Sequence, residues 1–447
     1  MTQARANVRG QIRSPIRGQM TRANGFGSGF HDGISFQAST GRVIVKATGA
    51  SPTLGTLTSL FTFTSGNQSM YRGPGGLLVQ SVTNTPRVEY GPGGDVYGLL
   101  MEASRTNLCL QSADISTSWV LSGATASVNA TAAPDGTTTA DKLVESAGGT
   151  FHLVRQDIAI SANTANTFSI YVKASGRTAC KLQVSNTLEN TGSNVDIDLS
   201  AVTVSNLTNF GTGTASAATI EPWTNGWFRV SLRTTIDAAS TTGRVQLLLA
   251  SPVGTTNYSG DGASGLFLWG GQYEAGQFMS SHIPTTTVSV ARTADSCIRT
   301  LASEFSATAG SVVVAGRASG GQDAANSQTV YDFNDGTGAN RITILRVAAG
   351  DTARFTMLTA SVQQGPLDGT FVSSTTYKAA IAFAANDLAY SFNGAAVTTD
   401  ATATLPAITK LELGSGTVGN VQGNCHIRTF DYYPTRLANE TLQSRST

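Results

Sequence analysis

The residue types best placed for chemistry in this sequence are those that recognise polyols. Binding a sugar calls for an aromatic face against its C–H surface, and for carboxylate, amide or guanidinium groups on loops around its hydroxyls. Three places supply that combination. Trp223 follows Pro222 in a loop and is a candidate stacking platform. Tyr258-Ser-Gly-Asp261 sets a phenol beside a carboxylate, and Asn334-Asp335 is followed by Asn340 and Arg341. The latter two clusters are also open to a plain reading as turns. Trp227 opens a strictly alternating segment, so it and Trp269 are expected in a core rather than on a sugar.

A second signal is cationic. Arg5, Arg9, Arg13, Arg17 and Arg22 all precede the first acidic residue, Asp32. Their spacing would line one helix face, but Gly10, Pro15 and Gly18 interrupt any helix. The expectation is an extended basic arm whose guanidinium groups dock on an acidic surface, with a solvated tail as the alternative. Enzyme motifs are missing: the sequence has no G-x-S-x-G, no Walker loop and no H-E-x-x-H. His31, His152, His282 and His426 are isolated from one another and from the cysteines. A non-enzymatic protein is expected, although the carboxyl separation that defines a glycosidase is not readable from sequence. Cys109, Cys180, Cys297 and Cys425 form no C-x-x-C pair and sit in apolar text. They read as buried reduced thiols, consistent with assembly in a reducing cytoplasm.

The elements that must position these groups are strands. The 447 residues carry 29 basic and 28 acidic side chains, and only 13% are charged. The chain holds 61 Thr, 45 Ser and 48 Gly, a composition suited to β-sheet with glycine-rich turns. A net charge of +1 argues against nucleic acid as the partner. No apolar run reaches the roughly 18 residues of a membrane span, and the N-terminus lacks the apolar core of a secretory signal. Period-2 alternation recurs in Phe168-Ser-Ile-Tyr-Val-Lys173, Val195-Asp-Ile-Asp-Leu199 and Phe228-Arg-Val-Ser-Leu-Arg233. These place Asp196 with Asp198, and Arg229 with Arg233, on outward faces. Asn393-Gly394 signals a tight hairpin. One short helix is expected at the end, with Ala438 as N-cap and Leu437 and Leu442 as a hydrophobic staple. The fold class is therefore all-β: tandem antiparallel β-sandwich or jelly-roll domains after an extended arm. The expected units are an arm over 1–33, a β-rich attachment segment over 34–110, a jelly roll over 111–295 and a second sandwich over 300–447.

Several motifs carry a resemblance. Phe61-Thr-Phe-Thr, Gly75-Gly-Leu-Leu-Val, Thr85-Pro-Arg-Val-Glu-Tyr90 and Gly98-Leu-Leu-Met-Glu-Ala-Ser-Arg-Thr-Asn-Leu108 resemble a segment of tailed-phage fibre, spike and head-decoration proteins. Trp119, Ala133-Pro-Asp-Gly136, Gly226-Trp-Phe-Arg-Val-Ser231 and Trp269-Gly-Gly-Gln-Tyr-Glu-Ala-Gly276 look like a carbohydrate-binding-module jelly roll. Ser391-Phe-Asn-Gly394, Leu411-Glu-Leu-Gly414 and His426 through Tyr433 are similar to concanavalin- and laminin-G-like lectin domains. The resemblance implies a virion protein assembled in the bacterial cytoplasm. Its arm would dock on other virion proteins, and its β units would bind host cell-surface polysaccharide. It implies a homo-oligomer, a trimer first and a pentamer second, without membrane insertion. It also implies a structural calcium ion, for which Asp114 and Glu274 are the candidate ligands and Asp196 with Asp198 a weaker pair; no other cofactor is expected. A purely structural decoration protein and a polysaccharide depolymerase are the alternatives.

Overall fold

The fold is that of a computed structural model describing residues 31–160, 163–236, 241–318, 326–348, 350–372, 374–416 and 422–447. The arginines expected in the docking arm, Arg5 to Arg22, lie outside the described residues.

Alternation builds the first sandwich strand by strand. In Ala165–Ser175 the side chains of Phe168, Ile170 and Val172 are buried, and in Trp227–Thr235 so are Val230 and Leu232. The two strands run antiparallel with Phe168 opposite Leu232 and Ile170 opposite Val230, so their apolar faces coincide. They lie in a sheet ordered Ala124–Thr131, Ala140–Glu145, Gly265–Ala275, Ala165–Ser175, Trp227–Thr235, Thr214–Pro222. A second sheet packs on it, ordered Val120–Ser122, Leu153–Ala159, Thr242–Ala250, Ala179–Asn186, Gly192–Asp198, Thr203–Phe210. Between them lies a core of Leu143, Phe168, Leu182, Val195, Leu247, Leu268, Tyr273 and their neighbours. Trp227 and Trp269 are buried at one end of this unit against Tyr171 and Met70. Cys109 and Cys180 lie in its core, Cys297 and Cys425 in that of the other sandwich, and all four are free thiols.

The other sandwich is assembled from both ends of the chain. Strand Cys425–Tyr433 pairs with Gly33–Gln37 on one side and Ala309–Ala318 on the other, with Phe36 opposite Phe430. The facing sheet contains Gln328–Asn334, Arg341–Arg346, Lys410–Leu413 and Ser296–Thr300, and the last of these pairs with Thr62–Thr64. One core joins Ile34, Phe36 and Phe63 to Phe333, Phe355, Tyr390 and Phe430. The segment expected as a separate attachment region over 34–110 thus contributes strands to the sandwich that the C-terminal residues complete. Local alternation marks a strand but does not name a partner some 400 positions away. The jelly roll is an excursion from this sandwich: the chain leaves along Arg105–Asn107 and returns along Val290–Arg292, and these two strands pair antiparallel.

The terminal helix, Asn439–Arg445, forms as expected. Ala438 supplies no side-chain cap, and Leu442 with Leu437 packs on Val313, Ala380, Ala382 and Ala389 instead. Asn393 and Gly394 both have positive φ, 49° and 76°, as the tight turn requires. One outward assignment needs correcting. Asp196 is on the outer side of its strand but buried, because Lys181 and Asn206 from the flanking strands close over it at 2.6 and 2.8 Å. Asp198 stays partly exposed and accepts from Ser200.

Candidate functional site

The outer face of the jelly roll's Trp227–Thr235 strand does not open directly to water. It forms one wall of a cleft of about 570 Å³ between the two sandwiches. Alternation sends Arg229, Ser231 and Arg233 to this face, and the neighbouring strand adds Thr219 and Glu221, opposite Ser231 and Arg229 respectively. The other sandwich supplies Glu89, Tyr97, Arg317 and His426. Arg72, Trp223 and the 277–281 loop complete the lining.

The charges in the cleft are unevenly matched. His426 Nε2 lies 2.6 Å from Glu89 Oε2. Burial alone would raise the Glu89 carboxyl, but the His426 hydrogen bond and charge outweigh it and hold it low. Arg229 is 5% exposed and donates to the Ser280 carbonyl at 2.8 Å and to Ser169 Oγ at 3.1 Å. Although Glu221 stands directly across the ladder, no carboxylate comes within ion-pair distance of Arg229 among the described residues. Arg72 is buried, donates to the Pro222 carbonyl at 3.2 Å, and lies 3.3 Å over the Trp223 ring centroid. Arg317 lies 4.4 Å over the Tyr97 ring. Burial raises the Glu221 carboxyl above its ordinary range against the pull of Arg229, Arg72 and Arg317. Chemically, the wall offers guanidinium forks, hydroxyls and aromatic edges to a polar ligand.

At the floor of the cleft, where Glu102 and Ser281 join the lining, the same residue types meet carboxylates. Glu102 accepts from Arg87 at 2.7 Å, from Ser281 N at 2.8 Å and from Ser281 Oγ at 2.6 Å, with Arg292 at 3.0 Å. Arg87 also pairs with Asp295, whose Oδ2 accepts from the Glu102 N–H at 2.8 Å. All four charged side chains are buried. Burial would raise the Glu102 carboxyl, but Arg292 and Arg87 together hold it far below the usual range.

The structure distributes the sequence-derived candidates unequally. Trp223 is in the cleft, but Arg72 covers one ring face and Tyr171 meets it edge-on at 5.2 Å, so it holds an arginine rather than a bare platform. Tyr258 and Asp261 belong to a closed network. Glu145 accepts from Tyr258 at 2.5 Å, from Arg177 at 2.8 and 2.5 Å, and from the Asp261 N–H at 2.8 Å. Asp261 itself accepts from Ala263 and Ser264 in its own turn. In the other cluster Asn334 is fully buried, and Arg341, also buried, is paired with Asp332 at 3.0 Å. Asp335 accepts from Thr337 and from Asn340 at 2.8 Å. The polar atoms of these two groups are largely engaged by their own networks, although the Asp261 side chain stays 49% exposed. Asp114 accepts from Ser116 and Thr117. Glu274 instead accepts from Gln272 and Ser280, with Arg105 at 3.7 Å. The two candidate calcium ligands therefore serve separate networks. Among the described residues no group of three His, Cys, Asp or Glu side chains is arranged to hold a metal. Arg72, Arg317 and Glu221 carried no sequence signal, Glu89 and His426 stood only within the resembling motifs, and Arg229 and Arg233 were marked only as outward.

No protein-family model and no curated protein matches the sequence. Among solved structures the chain is similar to the carbohydrate-binding module of a Ruminococcus gnavus sialidase, at 13% identity and a TM-score of 0.27, covering 32% of this chain and 84% of that one. It is similar to the Trypanosoma rangeli sialidase at 9% identity and a TM-score of 0.28, covering 70% of this chain and 54% of that one. It is also similar to mouse laminin α1 domains LG4-5, at 10% identity and a TM-score of 0.21, covering 65% and 89%. None of these three is a phage-particle protein, and at such TM-scores the likenesses carry no functional argument.

Proposed function

We propose that this protein is a glycan-binding component of a phage particle and that the cleft between its sandwiches is the binding site. The observation that carries the binding role is the cleft itself. Its volume of about 570 Å³ falls in the roughly 300–1,000 Å³ range of small-ligand sites. Its lining sets Tyr97 and Trp223 among the hydroxyls of Thr219 and Ser231, the Gln277 amide and several guanidinium groups. The particle assignment rests on the sequence resemblance, with Arg5, Arg9, Arg13, Arg17 and Arg22 docking on other virion proteins and the sandwiches presented to host-surface polysaccharide.

A glycan array probed with the full-length chain tests the binding role, with Thr219→Trp as the control that fills the cleft. Binding by the native chain and its loss in the variant are expected. Binding to no glycan and no host cell overturns the reading and leaves a structural decoration role. Replacing the five arm arginines by alanine should abolish incorporation into particles; unchanged incorporation removes the docking role.

A further inference from the structure

Three arginines of the cleft lack the partner that arginine chemistry calls for. Arg72 and Arg229 are 4% and 5% exposed. No carboxylate lies within ion-pair distance of Arg72, Arg229 or Arg317 among the described residues. A buried, unpaired cation is costly, and the usual remedy is a hydrogen-bonded anion. The chain applies that remedy next door, where Arg87 and Arg292 meet Glu102 and Asp295.

Glu221 is in register with Arg229 across the ladder, and its carboxyl feels Arg229, Arg72 and Arg317 together. Arg229 nevertheless turns to the Ser280 carbonyl and Ser169. Arg72 and Arg317 are held over the Trp223 and Tyr97 rings, 3.3 and 4.4 Å from the centroids, which positions them without neutralising them. The three cations therefore line one cleft, positioned by contacts that leave their charge unspent.

We infer that the ligand is an acidic saccharide whose carboxylate is received by Arg72, Arg229 and Arg317. This deepens the glycan reading and rests on it. A carboxylate suits the site because a guanidinium pairs with it bidentately, and because a planar anion fits beside arginines already clamped on rings. Thr219 and Ser231, whose hydroxyls bond each other at 2.7 Å, and Gln277, whose Oε1 accepts from Arg233 at 2.9 Å, keep further lone pairs and amide N–H groups for ring hydroxyls. Glu221 then acts as a gate on charge, since its own carboxylate competes with that of the ligand.

The test uses three oligosaccharides of matched length: a neutral one, its uronic-acid counterpart and a sulfated one, titrated calorimetrically into the full chain. The uronate should bind at least about tenfold more tightly than the neutral sugar, the loss expected when one charge-assisted contact is absent. Arg317→Ala, at a half-buried position, should erase the preference for uronate over the neutral sugar. Glu221→Gln should strengthen uronate binding a few-fold by removing a like charge, and it tests the site even if an arginine variant misfolds. Equal binding of neutral and acidic sugars overturns the inference while the glycan reading stands. A preference for sulfate over carboxylate overturns the assignment of the anion. Binding of none of the three, with a silent glycan array, fails the parent reading and this inference with it.

Discussion

Two neighbouring groups of arginines in this molecule have opposite surroundings. Arg87 and Arg292 sit among Glu102, Asp295 and Ser281, with anions and hydroxyls saturating their charge. The guanidinium groups of Arg72, Arg229 and Arg317, lining the adjoining cleft, meet carbonyls, a hydroxyl and aromatic faces but no carboxylate within ion-pair distance; the Glu89 carboxylate takes only the Arg72 backbone N–H, at 3.3 Å. The first group brings together residues 87 and 102 with residues 292 and 295, on either side of the jelly-roll excursion. On the proposed reading the difference separates a structural use of arginine from a receptive one: ion-paired arginines close the base of the jelly-roll excursion, and those without a carboxylate are the ones proposed to meet a ligand.

The largest effect should come from breaking the matched group. Arg87→Ala leaves Glu102 and Asp295 short of a buried partner, and losses of about 3–5 kcal/mol are typical when one member of such a pair is removed. Chemical denaturation should show this, whereas Arg317→Ala should cost less than about 1 kcal/mol, the size of an exposed cation–π contact. Comparable losses from both substitutions would erase the distinction.

Acid should discriminate next. Glu145 is raised by burial but held lower on balance by Arg177, Tyr258 and the Asp261 N–H. A carboxyl that titrates lower in the folded state stabilises fully above its unfolded value, about 4.3 for Glu, and loses that contribution as pH falls through the folded one. Unfolding midpoints should therefore drop on acidification below about pH 5. The drop should be shallower in Glu145→Gln, and parallel curves would show that this network adds nothing.

The smallest effect should be on binding. Glu221 faces Arg229, Arg72, Arg317 and Glu89, and burial places its carboxyl above the ordinary range. As the pH falls towards the carboxylate range, Glu221 should protonate ahead of an ordinary Glu, near 4.3, and acidic-sugar affinity relative to Glu221→Gln should rise a few-fold. Glu221→Gln should flatten that response, and an unchanged slope would exclude Glu221 as its source.

Much of the scaffold was legible because its signals are local. Alternation located Phe168, Ile170 and Val172 in a core, and the staple placed Leu442 on a sheet. The site was far less legible. Tyr258 with Asp261, and Asn334 with Arg341, have the composition of sugar contacts, yet their polar atoms are largely engaged by Glu145, Asp332 and their own turns. Residue type shows what a group could bond, whereas its availability depends on neighbours brought from elsewhere in the chain.

The sequence by itself determined the all-β class, the strands and their faces, the buried tryptophans and thiols, and the terminal helix. Each follows from spacing of two or four residues, or from composition. Tertiary structure alone decided that residues 33–37 pair with 429–432, that the jelly roll is an excursion from the sandwich so closed, and that Arg229 faces Tyr97 and Arg317 rather than water. The physical reason is that a strand's pleat fixes which way a side chain points. What it then meets is set by the burial of surfaces hundreds of residues apart.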